Sequence, residues 1–154
     1  MIKTGTKAPD FTLLNTESNE VSLSDCKGKN VVLLFFPFAY TSVCTDELCS
    51  TRDDIEAYKN LNAVVYGISV DSPFTLKQFK KDNNLNFELL SDFNKTVSPA
   101  YDSLYETFGK GLKGVSKRSA FVIDAEGIIQ HFEILESAGD MPDFDKIKAS
   151  LPSN

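Results

Sequence analysis

FFPFAYTSVCTDELCSTRDD, residues 35–54, is the stretch that decides how this chain folds and what chemistry it can support. An apolar strand runs into Pro37 and then into a short turn that carries Thr41, and the turn delivers Cys44 to the predicted first turn of a helix. The backbone N–H groups that begin a helix have no partner within it, and the positive end of the helix dipole lies beside them. Both features favour a thiolate over a thiol, and the thiolate is the reactive form of cysteine. The pattern predicts a thiol redox enzyme in which Cys44 is the nucleophile and Cys49 follows it at C-x4-C spacing.

Length and composition are those of an ordinary globular protein. The chain has 154 residues, which suits a single domain over residues 1–154, and it is 42% hydrophobic and 25% charged. The net charge of −6 argues against a nucleic-acid partner, because no basic patch is present to displace counterions from phosphate. No apolar run approaches the roughly 20 residues that span a bilayer, and the N-terminus lacks the apolar core of a signal peptide. Three cysteines, an odd number, do not suggest a secreted disulfide framework, so we expect a reducing, cytoplasmic setting without membrane contact.

Hydrophobic periodicity predicts the order of the secondary-structure elements. Alternating residues at 11–14 and 21–23 indicate an N-terminal hairpin, and continuous apolar runs at 31–36 and 63–70 indicate buried strands. The remaining predicted elements are helices over 45–61, from 71–73 onward, over 97–108 and over 143–151, and strands over 87–90, 119–123 and 128–135.

The resulting order is hairpin, β, α, β, α, β, α, hairpin, α, which defines the fold class. Two buried strands that flank a helix pair in parallel through a right-handed crossover, whereas a closing hairpin adds antiparallel strands. The sequence therefore predicts an α/β protein with a thioredoxin-like fold, in which a mixed central sheet has flanking helices and an N-terminal β-hairpin extension.

The motif P-x3-T-x2-C, formed by Pro37, Thr41 and Cys44, resembles the active-site motif of the peroxiredoxins, which are cysteine-dependent peroxidases. The resemblance covers nearly the whole chain. The opening GTKAPDFTL is similar to the first strand of that family, and RSAFVID at 118–124 is similar to the strand that carries its active-site arginine. The C-x4-C spacing resembles the subgroup called bacterioferritin comigratory protein or peroxiredoxin Q.

The resemblance implies a role for each candidate active-site residue. Cys44 would attack one oxygen of a peroxide and become a sulfenic acid. The N–H groups of Val43 and Cys44 and the hydroxyl of Thr41 would bind the substrate, because a helix's first amides are free and a hydroxyl can accept and donate. Arg118 would supply a fixed positive charge that favours the thiolate and attracts the departing oxygen. Pro37 fixes the loop and would shield the sulfur from solvent.

Cys49 is the resolving cysteine that the resemblance implies, since its thiol can condense with the sulfenic acid to form an intrachain disulfide. In an ideal helix the Cα atoms of residues five apart lie about 8.6 Å from each other, whereas a disulfide needs them within roughly 7 Å. We therefore expect the first turns of this helix to unwind on oxidation. The alternative is that Cys49 is a small hydrophobic residue of the helix's inner face.

Two other residues, Glu47 and Arg52, are open to more than one interpretation, and two, Cys26 and His131, have an ordinary one. Glu47 either orients Arg118 through an ion pair or is a first-turn carboxylate favoured by the helix dipole. Arg52 either belongs to the same network or is a surface helix residue. Cys26 is expected to be an inert thiol and His131, the only histidine, an ordinary strand residue.

The predicted function is a thiol peroxidase that reduces hydrogen peroxide and alkyl hydroperoxides and is re-reduced by a thioredoxin-type donor, without a metal or other cofactor. A thiol–disulfide oxidoreductase on the same scaffold would need C-x-x-C, and Thr41 occupies the place of its partner cysteine. A metal-binding module would need standard ligand spacing, which the scattered cysteines and histidine lack. A peroxide sensor shares all the chemistry and stays open, as does the choice between monomer and dimer.

Overall fold

A seven-stranded mixed sheet forms the centre of the computed structural model, which describes residues 1–152. The strands of this part of the chain are β1 (Thr12–Asn15), β2 (Glu20–Ser22), β3 (Asn30–Phe35), β4 (Ala63–Ser69), β5 (Glu88–Ser91), β6 (Leu104–Tyr105), β7 (Val115–Ser116), β8 (Ser119–Ile123) and β9 (Ile129–Ile134). Its α-helices are α1 (Ser42–Asp53), α2 (Ile55–Asn60), α3 (Pro73–Asp82), α4 (Val97–Ala100) and α5 (Phe144–Ala149). Single 3₁₀ turns cover Leu23–Cys26 and Gly109–Gly111. Over these residues, no helix combines the length and the apolar character that crossing a membrane requires.

The strand order of the main sheet is β2-β1-β5-β4-β3-β8-β9. Strands β3, β4 and β5 pair in parallel, whereas β8 pairs antiparallel with both β3 and β9. The N-terminal hairpin of β1 and β2 joins the sheet through an antiparallel pairing of β1 with β5. This mixed sheet with helices packed against it confirms the predicted thioredoxin-like α/β fold and its hairpin extension.

Strand β3 lies in the interior of the sheet, between β4 and β8, because its sequence is apolar at almost every position. All its residues are buried, as expected for a parallel strand that is covered on both faces. One face packs against the helical layer that contributes Leu48, Leu76 and Ile147. The other face packs against an aromatic cluster that includes Phe11 and Tyr101. Two cores therefore hold β3 in place, and its carboxyl end leads directly into the P-x3-T-x2-C motif.

The helix predicted over 45–61 is two helices in the structure. Helix α1 begins earlier, at Ser42, and ends at Asp53, and α2 begins again at Ile55. Asp54 between them has a φ of −110° and a ψ of 13°, and its carboxylate forms an ion pair with Lys148 of α5. Aspartate is a weak helix former, and a contact between residues 94 positions apart overrides the local helical pattern here.

The helix predicted over 97–108 was too long, because α4 ends at Ala100. Asp102 adopts a left-handed backbone with a φ of 53°, and its carboxylate accepts a hydrogen bond from the Ile2 amide at 2.7 Å. A left-handed residue just after a helix ends it. The segment that follows forms β6, which pairs antiparallel with β7. The sequence predicts neither β6 nor β7, whereas the predicted strands agree with β1 to β5, β8 and β9 to within one residue at each end.

Candidate active site

The loop 36–41 carries the chain from β3 to α1, and side chains from neighbouring elements fix its shape. The Ala39 amide donates a hydrogen bond to the Asp71 carboxylate at 2.7 Å. Tyr40 has a φ of 68°, a left-handed conformation that is uncommon for a bulky residue. Its hydroxyl donates to the Asp82 carboxylate at 2.7 Å, which helps to hold this conformation. The loop therefore reaches the start of α1 in one defined conformation.

Cys44 is the third residue of α1 and is fully buried. The first hydrogen bond of the helix runs from the Thr45 amide to the Thr41 carbonyl at 2.9 Å. The amides of Val43 and Cys44 precede this bond, so they have no partner inside the helix. The sulfur consequently lies beside free backbone donors at the positive end of a helix, as the sequence predicts.

Arg118 comes from the segment before β8 and converges on Cys44 although the two are 74 positions apart in the sequence. Its Nη2 donates to the Cys44 sulfur at 3.1 Å, and its Nη1 donates to the Glu47 carboxylate at 2.7 Å. Its Nε and Nη2 both donate to the carbonyl oxygen of Ala138, at 3.1 and 2.9 Å. Only 1% of the surface of Arg118 is exposed, so these hydrogen bonds hold the guanidinium in one orientation inside the protein.

The buried Arg118 guanidinium thus donates hydrogen bonds to two acidic groups, the Glu47 carboxyl and the Cys44 thiol. Burial raises the pKa of Glu47 to about 7, and the Arg118 guanidinium lowers it by less. Desolvation lowers the pKa of Arg118, but the nearby charges of Glu47 and Cys44 outweigh it and raise the pKa above its ordinary value. Within residues 1–152, the Oε2 atom of Glu47 has no hydrogen-bond partner. Of the two interpretations of Glu47, the geometry matches the ion pair with Arg118 rather than a first-turn carboxylate favoured by the helix dipole.

Thr41 lies at the rim of this site and is exposed. Its hydroxyl donates to the Phe38 carbonyl at 3.0 Å, so its proton is not directed at the Cys44 sulfur. A hydroxyl that donates in this way keeps two lone pairs with which to accept. Pro37 is buried and Val43 is half-buried, whereas the Cys44 residue between the loop and the rest of α1 has no exposed surface.

Cys49 is half-buried further along the same helix, and all three cysteines are free thiols. Its sulfur donates to the amide oxygen of Asn83 at 3.7 Å. Arg52 lies on this side of the helix too and does not contact Cys44. It donates to Asp53 at 2.9 Å and to the Asn83 carbonyl at 2.6 Å. Helix α1 is intact between the two cysteines, so the reduced chain holds them at helical separation.

The remaining polar candidates lie elsewhere. The Cys26 sulfur shares a hydrogen bond with the Tyr66 hydroxyl at 3.4 Å, and the His131 ring pairs with Glu133 at 3.1 Å. Sequence reasoning missed three residues that act on the site: Asp71, Asn83 and Ala138. Asp71 anchors the loop at Ala39, Asn83 accepts from the Cys49 thiol, and the Ala138 carbonyl accepts from Arg118. No sequence signal marks a carbonyl, since every residue has one, and an isolated Asp or Asn after a strand or helix has many ordinary explanations.

Comparison with known proteins identifies the class. A model of the AhpC/TSA family matches residues 4–132. The chain therefore belongs to the AhpC/TSA family. It is 43% identical to Peroxiredoxin Bcp of Bacillus subtilis (strain 168) over 128 residues, which cover 82% of this chain and 81% of that protein. It is 44% identical to the putative peroxiredoxin bcp of Coxiella burnetii over 130 residues, covering 83% and 85%.

A solved structure agrees with these relatives. The crystal structure of Peroxidoxin BcpB from Mycobacterium tuberculosis aligns with a TM-score of 0.86 and 30% identity, and covers 98% of this chain and 97% of that one. Within the family, the relatives place the chain among the Bcp-type peroxiredoxins. The predicted enzyme class, a peroxidase that acts on peroxides and needs a reductant, is therefore confirmed.

Proposed function

We propose that Cys44 is the peroxidatic nucleophile, which attacks one oxygen of a hydroperoxide and becomes a sulfenic acid. The observation that carries the proposal is the 3.1 Å hydrogen bond from Arg118 to the Cys44 sulfur inside a buried site. A charge-assisted hydrogen bond is about twice as strong as a neutral one, and it stabilises an anion most where water is excluded. Because Ala138 and Glu47 hold the other guanidinium nitrogens, Arg118 needs no rearrangement to bind the thiolate.

The same groups are placed to bind the substrate and the leaving oxygen. The free amides of Val43 and Cys44 can donate to the peroxide, and Arg118 can donate to the oxygen that leaves as hydroxide or alkoxide. The Thr41 hydroxyl already donates to Phe38, so its contribution is to accept the proton of the peroxide O–H. A donor set on one side and an acceptor on the other orient the O–O bond toward the sulfur.

Burial of the site sets the kind of substrate. Cys44 has no exposed surface, and the buried Pro37 of the preceding loop would shield the sulfur from solvent. Hydrogen peroxide and small alkyl hydroperoxides are compact enough to enter past the exposed Thr41, which lies at the rim. Exclusion of water also protects the sulfenic acid until a thiol reaches it.

Resolution follows from the position of Cys49 on the same helix. Its thiol condenses with the sulfenic acid of Cys44, and a thioredoxin-type dithiol then reduces the intrachain disulfide in a reducing cytoplasmic setting. Both sulfurs belong to one chain, so the catalytic cycle is complete in a monomer. Helix α1 must unwind locally for the two sulfurs to meet, because helical geometry keeps their Cα atoms about 8.6 Å apart.

One experiment tests the assignment of the two cysteines. The reduced protein is mixed with equimolar peroxide, and thiol loss is followed in the parent and in the Cys44→Ser, Cys49→Ser and Cys26→Ser variants. We expect Cys44→Ser to be inert, Cys49→Ser to consume one equivalent and stop at sulfenic acid, and Cys26→Ser, the matched control, to behave as the parent. Full reactivity of Cys44→Ser would end the assignment of the nucleophile.

A second assay tests the electron donor. Peroxide consumption is measured with NADPH, thioredoxin reductase and thioredoxin, and again with glutathione and its reductase. The proposal expects sustained turnover with thioredoxin, because a dithiol can attack a protein disulfide and release itself as its own disulfide. Turnover with glutathione alone would contradict the proposed donor while leaving the role of Cys44 intact.

A further inference from the structure

Cys49 packs against the apolar core, but a polar side chain at the end of α3 also contacts its sulfur. Asn83 is the residue that follows α3, and its side-chain amide group donates to the Phe79 carbonyl at 3.0 Å. A carbonyl can only accept, so this bond fixes which end of the amide is nitrogen. The amide oxygen therefore faces Cys49 and accepts from its thiol at 3.7 Å.

Arg52 also connects the second half of α1 to Asn83. It lies three positions after Cys49, a spacing that places two side chains on one face of a helix. Its guanidinium donates to the Asn83 carbonyl at 2.6 Å, and its own carbonyl accepts from the Asn86 side chain at 3.1 Å. Contacts through side chain and main chain thus join the second half of α1 to the segment 83–86.

We infer that Asn83 and Arg52 form a latch that holds Cys49 in the helical, reduced conformation and so sets the rate at which it resolves the sulfenic acid. This inference rests on the proposed function of Cys49. The two residues are positioning residues, because neither touches Cys44 or the peroxide site. Their contacts are made with α1 helical around Cys49, so each one stabilises the conformation in which the disulfide cannot form.

The step that the latch controls is balanced within the chain. The Cys49 sulfur attacks the sulfenic sulfur of Cys44, an S–S bond forms and the S–O bond breaks. The departing hydroxide takes the thiol proton of Cys49 and leaves as water, so no external oxidant or reductant is needed. While the latch is closed, the sulfenic acid waits, and a second peroxide can oxidise it to sulfinic acid instead. The latch consequently sets the peroxide concentration at which the enzyme is inactivated.

The experiment compares Asn83→Ala and Arg52→Ala with Lys81→Ala, an exposed change near the same end of α3. Single-turnover oxidation is stopped at intervals by an alkylating reagent, and mass spectrometry counts sulfenic acid, disulfide and sulfinic acid. Loss of one net hydrogen bond makes local opening about fivefold more frequent. We expect disulfide formation to become about fivefold faster in both latch variants and sulfinic acid to decrease, with the rate of sulfenic acid formation unchanged. Lys81→Ala should match the parent.

A second measurement is independent of the resolving reaction. In a Cys44→Ser background, alkylation of Cys49 should become about fivefold faster when Asn83→Ala or Arg52→Ala is added, whereas a merely structural role would alter only the unfolding midpoint. Unchanged or slower alkylation and disulfide formation in both variants would overturn the latch. If the parent forms no intrachain disulfide at all, the proposed role of Cys49 fails, while the alkylation rates still decide whether the latch exists.

Discussion

Replacing Arg118 with methionine should lower both the free energy of unfolding and the rate of Cys44 oxidation, for separable reasons. Stability falls because Glu47 loses its buried cation, which costs about 3–5 kcal/mol when denaturation is measured above pH 7, where the carboxyl of the parent is ionised. The rate falls because the charge-assisted hydrogen bond to the sulfur is lost. Such a bond contributes about 1.5–3 kcal/mol, which corresponds to a roughly ten- to hundredfold slower first step.

The double variant Arg118→Met/Glu47→Leu separates the two effects. Apolar replacement of a buried ion pair is often neutral or stabilising, so the double variant should recover most of the lost stability. It should oxidise as slowly as the single variant, because it still lacks the cation beside Cys44. Urea denaturation and the second-order rate of thiol loss measure the two quantities. An Arg118→Met rate within threefold of the parent would refute the role of the guanidinium, and a double variant as unstable as the single one would refute the buried-charge argument.

Three further outcomes follow from the same geometry. The pKa of Glu47 is raised from 4.5 to about 7 in the folded protein, so the folded chain holds a proton that the unfolded chain has lost between these pH values. The free energy of unfolding should therefore decrease as pH rises through this window, and Glu47→Gln should flatten that part of the profile in denaturation at several pH values. Thr41→Val should slow the first step about tenfold in peroxide-consumption kinetics, whereas Thr41→Ser, which keeps the hydroxyl, should stay close to the parent. Asp71→Ala should lower the unfolding free energy by about 1–3 kcal/mol and raise protease cleavage of the loop 36–41, because it leaves the Ala39 amide without its acceptor. If the variant and the parent had the same stability and the same rate of cleavage, this contact would not be what holds the loop.

The seven strands of the main sheet could be predicted, unlike β6 and β7, because their sequences carry the reason for their burial. A run such as 31–36 is apolar at every position, and its short length and β-branched and aromatic residues favour a strand covered on both faces. The same holds for the segment around Cys44, where a strand, a proline and a polar helix start follow one another. Local patterns of this kind need no knowledge of the rest of the chain.

The ends of the helices and the outer contacts of the site could not be predicted in this way. Asp54 interrupts one predicted helix, where its carboxylate pairs with Lys148. Asp102 follows the end of a second helix, where its carboxylate accepts a hydrogen bond from the Ile2 amide. The contact of Arg118 with Glu47 could be named from the sequence only as one of two alternatives. Each of these depends on which distant segments the sheet brings together, and that information lies in the packing rather than in the local sequence.

The carbonyl of Ala138 receives two of the hydrogen bonds that orient the active-site guanidinium. A backbone oxygen offers the same acceptor whichever residue carries it, so many substitutions at this position should be tolerated. The number of residues between β9 and α5 should be constrained, because inserting or deleting one would move the Ala138 carbonyl oxygen away from Arg118. The residues of this connection should therefore vary among relatives while their number stays constant. An alignment of relatives that shows varied residues but no gaps there would agree with this expectation.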